Sequence, residues 1–353
     1  MIFLRVSVMD LQVGDRTGSD IFNKNGLLVV SAHTVLNSSD ISKLNLHHID
    51  YVDLMIRFDN SSKHEEEVIL PEQEISKHAK AYEEAVDGIK DLFEQVEKSG
   101  KLDESQVNDS FAPLSNEFVR ERDVVSLLLT LNNQDDYTYQ HSVQVGMISY
   151  YIAKWLGQTN ERALIAGKAG YLHDIGKCRI DKAILTKPGR LTDEEFEEVK
   201  KHPAIGYQLI KDSNMSEALA QAALQHHERF DGSGYPHGLK ESAILPLSKI
   251  VAVADIYSAM ISSRVYQKKR DLLFVLRELH RLSFGKLDPK ITQVFIRNMI
   301  PNFIGKRVLL SSGETGYIVL THPSDMFKPL VQVDDHFVNL TDHPELVIEE
   351  VYV

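Results

Sequence analysis

The sequence predicts a mainly α protein: a helical bundle with a small N-terminal α/β domain and a small C-terminal β appendage. Three observations carry that prediction. Apolar residues recur at helical spacing through 72–98 and through most of 115–300. Short apolar runs separated by turns fill the chain after Pro301. Near the start, the hairpin turn signal Asn25-Gly26 sits between two apolar stretches.

Taken in order, 353 residues leave room for two or three domains. Residues 1–60 form the first, an accessory and regulatory domain in expectation. Ile21–Phe22 and Leu27–Val30 flank the hairpin turn, Ser38-Ser39-Asp40 caps a short helix to about Asn45, and Tyr51–Ile56 is a strand. Residues 61–114 hold a polar linker, Asp59–Glu67 at its start, and an amphipathic helix over 72–98. In that helix Ile75, Tyr82, Ile89 and Val96 recur every seven residues, with Ala85 and Leu92 between them. Such spacing suits either a homodimer seam or packing on the chain itself. Ser99-Gly100 ends the helix.

Residues 115–302 are the predicted bundle and 303–353 the appendage. Tyr137–Leu156 places His141 on the face of Val145, Ile148, Ile152 and Trp155. Asn160–Lys177 aligns Ala166, Gly170, His173 and Lys177, the small residues allowing close helix packing. Thr192-Asp193-Glu194-Glu195 is a capping box, and Pro203 breaks or restarts the helix it follows. Ser216–Glu228 and Pro246–Ser263 are further helices. Val308–Leu310, Tyr317–Leu320, Leu330–Val333 and Phe337–Leu340 are short strands.

Bulk properties exclude several function classes. A net charge of −12 opposes general polynucleotide binding. No apolar run reaches the length of a membrane span, and Met1–Asp10 is too short for a secretory signal. The single cysteine, Cys178, permits no internal disulfide and suits a reducing, cytoplasmic compartment. An anionic small substrate would need local positive charge, which bound metal ions supply.

Seven metal-type side chains stand out in the bundle: His141, His173, Asp174, His202, His226, His227 and Asp255. A lone histidine on an apolar face is ordinarily a core residue. The combination is not ordinary. His173-Asp174 puts a carboxylate at the end of a buried helix, where it is costly without a counter-charge. His226 and His227 are about 100° apart around a helix and share a site only near its mouth. Asp255 lies in the row Val251, Asp255, Ala259. One shared metal cluster accounts for all of these. The following loop, Asp231-Gly232-Ser233-Gly234-Tyr235-Pro236, is either a plain interhelical turn or the rim of that cluster, with Tyr235 offering a face to a nucleobase.

His173-Asp174-Ile175-Gly176-Lys177 resembles the HD motif, and His226-His227-Glu228 with Arg229 to Pro236 resembles the HHExxDGxGYP signature of the HD-GYP family. The resemblance covers roughly residues 115–300. It implies an HD-type bundle and a phosphodiesterase acting on a cyclic dinucleotide. The substrate would be cyclic di-GMP, cleaved to linear pGpG or on to GMP, or else cyclic GMP-AMP. It also implies divalent metals, commonly iron or manganese. Matched by position, His141, His173, Asp174 and Asp255 would hold one metal, and Asp174 would bridge to a second held by His202, His226 and His227. Lys177 and Arg264 would approach phosphate, and Gly234, Tyr235 and Pro236 would line the substrate. Members with a third metal carry glutamate where this chain has Tyr137, so two metals are expected. A hydroxide shared by the two would then attack phosphorus, with Asp174 and Lys177 as the catalytic pair. Ser258, Ser263 and Val265 depart from the family pattern and Gln267 replaces a frequent basic residue, while Arg264 is retained. These departures leave the metal set intact and bear on substrate affinity. A hydrolase of linear nucleotides and a dinucleotide sensor without turnover are the competing readings.

Overall fold

The computed structural model describes residues 2–8, 11, 15–22, 28–47, 49, 51–56, 72–118, 137–262, 272–322 and 325–352. The chain divides into two compact units, Met1–Leu70 and Pro71–Val353.

In the first unit, strand β1 (Ile2–Ser7) pairs antiparallel with β4 (Tyr51–Ile56), and β2 (Ile21–Phe22) pairs with β3 (Leu28–Val30). Helix α1 (Ser38–Leu46) lies between β3 and β4. Its cap is Asn37 rather than the serine pair: the Asp40 amide donates to the Asn37 side-chain oxygen at 3.0 Å. Val8, Leu11, Ile21, Val30, Leu36, Leu44, Val52 and Leu54 form a separate small core. The Asn25-Gly26 turn and the Asp59–Glu67 linker lie outside the described residues.

The second unit opens with helix α2 (Glu72–Ser99), followed by α3 (Glu104–Phe118). From Tyr82 to Val96 the heptad stripe of α2 is buried in the core of its own unit. Of the two readings of that stripe, packing on the chain itself is the one observed here; the side chain of Ile75 lies outside the described residues. Three further contacts fasten α2. The Tyr171 hydroxyl donates to the Ala85 carbonyl at 2.7 Å, and Arg179 donates to the Val96 carbonyl at 3.0 Å. Lys182 pairs with Glu97 at 3.2 Å.

Helices α4 (Tyr137–Trp155) and α5 (Asn160–Leu172) form the most intimate pair. A Cβ at Gly170 would stand 2.5 Å from the Val145 carbonyl oxygen, so only glycine lets the backbones approach this closely. After the short helices α6 (Lys182–Leu185) and α7 (Asp193–Val199) come α8 (His202–Asp212) and α9 (Glu217–Gln225). The capping box at Thr192 and Glu195 is formed, and Pro203 sits in the first turn of α8, where its missing N–H costs nothing. Helix α10 (Pro246–Ser262) crosses α4 and α5; α11 (Leu272–Leu282) and α12 (Pro289–Met299) complete the bundle.

The C-terminal strands β5 (Arg307–Leu310), β6 (Thr315–Leu320), β7 (Leu330–Val333), β8 (His336–Asn339) and β9 (Ile348–Tyr352) make one antiparallel sheet in the order β8-β7-β6-β5-β9. This is the predicted C-terminal β appendage, and it packs on the bundle. Val308, Leu310, Ile318, Val331, Val333 and Ile348 join the same core cluster as the helices.

Candidate metal centre

Five segments converge on one buried point. His141 comes from the first turns of α4, and His173 and Asp174 from the end of α5. His202 opens α8, His226 and His227 follow α9, and Asp255 comes from the middle of α10. All are buried except His227, which is partly exposed. Two helices are shorter than the sequence predicts. Helix α5 stops at Leu172, and the chain tightens into a 3₁₀ turn over Ile175–Arg179, so Lys177 is not in helical register with His173. Helix α9 stops at Gln225, which frees His227 from helical spacing and lets both rings reach the centre.

The side chains form two groups that share Asp174: Asp174, His202, His226 and His227, and His141, His173 and Asp174. Within each group the candidate ligand atoms lie within 4.8 Å of one another. Asp174 Oδ1 is 3.2 Å from His202 Nε2 and 3.7 Å from His226 Nε2, while Oδ2 is 3.3 Å from His173 Nε2. Asp255 belongs to neither group but lies beside both: its Oδ1 is 3.1 Å from His141 Nε2 and its Oδ2 3.6 Å from His227 Nδ1.

The rings are held by their far nitrogens. His173, His202 and His226 each place Nδ1 on the backbone carbonyl three residues upstream, at 2.6, 2.6 and 2.7 Å, on Gly170, Val199 and Ala223. A carbonyl only accepts, so Nδ1 carries a proton, and in the neutral ring Nε2 presents its lone pair inward. His173 Nε2 and Asp174 Oδ1 are buried and make no well-formed hydrogen bond. Inward lone pairs and carboxylate oxygens with no protons between them are what a divalent cation requires. The donor set is imidazole and carboxylate, without thiolate, which suits iron, manganese or zinc.

Charge follows the same pattern. Burial by itself would raise Asp174, but His173 and Lys177 hold it well below the usual carboxylate range. Burial would likewise raise Asp255, yet His141 and His227 hold it well down. Burial keeps His226 and His227 neutral, reinforced at His226 by the neighbouring rings. Lys177 reaches Asp174 Oδ2 at 2.5 Å. Cys178 packs against the core, and burial pushes its thiol up to about 11, so it is no nucleophile at neutral pH.

The glycine-rich loop stands at the rim. A Cβ on Gly234 would collide with the backbone of His227, Glu228 and Arg229, so only glycine lets the loop fold back on the histidine pair. The Tyr235 ring then lies 4.6 Å from the His227 ring, centroid to centroid. Pro236 follows it in the same bend. Glu228 had no role in the sequence reading. Buried, it accepts from the His237 and Leu239 amides at 2.8 Å each and pins the loop. The signal available was its place inside the signature. At the outer side, Asp231 pairs with Lys286 at 2.8 Å. Arg264, with Ser263, Val265 and Gln267, lies outside the described residues, as does the side chain of Tyr137.

Comparison with known proteins gives one consistent result. The profile of the HD domain family matches residues 125–291. A cyclic di-GMP phosphodiesterase of Pseudomonas aeruginosa is 33% identical over 263 residues, covering 74% of this chain and 63% of the relative. A cyclic di-GMP phosphodiesterase of Thermotoga maritima is 41% identical over 178 residues, covering 50% of this chain and 48% of the relative. The chain thus spans about half to two thirds of the length of these relatives. Among solved structures, an HDG"Y"P protein of Bdellovibrio bacteriovorus matches with a TM-score of 0.52 at 16% identity, over 84% of this chain and 98% of that one, a likeness of fold. No helix among the described residues is long and apolar enough to cross a membrane. Residues 125–291 thus match the HD domain family, and the segment at 226–236 that resembles the HD-GYP signature lies within that match.

Proposed function

We propose that this protein is a metal-dependent phosphodiesterase that hydrolyses a cyclic dinucleotide, cyclic di-GMP first among them, to the linear dinucleotide. The observation that carries the reading is the pair of ligand groups sharing Asp174 beneath the loop that carries Tyr235. The names of the two relatives support the substrate class.

In this reading His141, His173, Asp174 and Asp255 hold one ion, and Asp174, His202, His226 and His227 hold a second, iron or manganese. Bound there, the ions supply Lewis acidity at phosphoryl oxygens and lower the pKa of water towards neutrality. The chain's own groups do the rest. Asp174 offers one oxygen to each group and fixes their spacing. Lys177, partly exposed beside Asp174, carries a cation to the phosphate that enters the site. Tyr235, packed on His227 with Phe196 edge-to-face at 6.4 Å, is assigned to stack on a base, while Gly234 and Pro236 hold it at the rim. Arg264 is assigned a second phosphate contact on its sequence position alone.

The test is direct. Protein purified under low oxygen is assayed for metal content by elemental analysis and for products on cyclic di-GMP, cyclic GMP-AMP and a linear nucleotide side by side. Two ions per chain with pGpG as product is the expected result. Tight dinucleotide binding without product would make the protein a sensor, and cleavage of the linear nucleotide alone would refute the substrate class.

A further inference from the structure

Ser258 is fully buried in α10, and its hydroxyl joins two side chains of α4. The oxygen lies 2.9 Å from His141 Nδ1, and the O–H donates to Gln144 Oε1 at 2.9 Å. Gln144 is oriented from its other side by a hydrogen bond with the Tyr82 hydroxyl of α2. That hydroxyl donates its own hydrogen to the Gln140 carbonyl at 3.5 Å, so it accepts from the Gln144 amide and leaves Oε1 turned to Ser258.

A hydroxyl has one hydrogen. With that hydrogen committed to Gln144, Ser258 meets the imidazole only as an acceptor, and His141 must donate from Nδ1. Its Nε2 then holds a lone pair, 3.1 Å from a carboxylate oxygen of Asp255. Two acceptors at that distance repel unless a cation, a second proton on the ring or a metal ion, lies against both.

We propose that Gln144 and Ser258 form an uncharged relay that fixes His141 in its metal-accepting tautomer and thereby sets the affinity of one of the two ions. Both are positioning residues acting through His141. The inference rests on the reading that His141 and Asp255 hold a metal. It also gives a physical meaning to the serine at 258, one of the positions that depart from the family pattern. A neutral acceptor on Nδ1 makes the ring a weaker donor to metal than a carboxylate would. The ion on this side is therefore held more loosely, and exchanges more readily, than a charged relay would allow.

The experiment is a manganese titration of the chelator-stripped full chain, with free ion counted by electron paramagnetic resonance. Wild type should bind two ions. Ser258→Ala should weaken one of them about 10- to 100-fold and leave the other within about twofold. Ser258→Thr, which keeps the hydroxyl, should restore it. Gln144→Leu should weaken the same ion, and the double variant should be no worse than Ser258→Ala alone, since the two act in series. His141→Ala identifies that ion. Both ions bound as tightly in Ser258→Ala as in wild type, or both weakened equally, would overturn the relay; if Ser258→Ala does not fold, Gln144→Leu decides by the same criterion. A wild type that shows this pattern yet cleaves no cyclic dinucleotide refutes the proposed activity and leaves the relay standing. A wild type that cleaves it, with unchanged ion binding in the variants, does the reverse.

Discussion

Nε2 of His202 stands 3.2 Å from Nε2 of His226, while the opposite nitrogen of each ring donates to its own backbone. Neither ring has a proton to place between them. A cation relieves that contact, and it binds only the folded chain, so metal should stabilise the protein. At a hundredfold excess over its dissociation constant, one ion adds about 2.7 kcal/mol. Thermal melts should shift upward with manganese and downward with chelator. A midpoint indifferent to metal would count against the centre.

Asp174 is the one carboxylate common to both groups. Asp174→Ala should therefore lose both ions and all turnover, whereas His202→Ala should spare the ion on the other side. Lys177→Ala should keep both ions and lower turnover by about 10²-fold, the usual cost of one electrostatic donor to a developing charge. Metal analysis beside product assays separates the cases. Full activity in a metal-replete Asp174→Ala protein would dismiss the shared carboxylate.

The seven candidate ligands were legible in the sequence only through their combination, since a lone histidine on an apolar face is ordinarily core, and their division between two ions came from the resemblance alone. Helix ends were less legible. Lys177 and His227 look helical by periodicity, yet tertiary contacts at the centre end α5 and α9 just before the ligands. Periodicity reports which face is buried, not where the helix stops. Glu228 was invisible because its partners, the amides of His237 and Leu239, come from loop geometry that side-chain patterning does not encode. The strands β1 and β9 were missed for a similar reason: their partners, β4 and β5, are distant in sequence.

Glu228 offers a sharp test of the loop. Its carboxylate accepts two backbone N–H groups while buried. Glu228→Gln keeps the shape but turns an NH₂ toward one of those donors, at a cost of about 2 kcal/mol. Urea denaturation should show that loss. KM for the cyclic dinucleotide should rise while the number of bound ions stays at two, because the ligand atoms are anchored elsewhere. Loss of metal in this variant would tie the loop to the ligands more closely than the hydrogen bonds indicate.

The metal-free protein should also carry a pH signature set by its rings. Burial holds His226 and His227 well below the ordinary imidazole value, with help from neighbouring rings at His226. His173 shifts the other way: burial opposes its charge, but Asp174 beside it prevails. In the unfolded chain all three titrate near pH ~6.5. Below that pH the unfolded chain protonates all of them. The folded chain already holds the proton on His173 and takes none at His226 or His227 until the medium is far more acid. The unfolded state then binds more protons, so stability falls as pH falls, by about 1.4 kcal/mol per pH unit for each ring kept neutral. Above that pH only His173 matters, and its contribution is lost as pH rises through its raised value. Urea midpoints of chelator-treated protein should drop between about pH 6 and pH 5. A midpoint that rises over that interval would mean that His226 and His227 are charged in the fold, and the inward lone pairs would not exist.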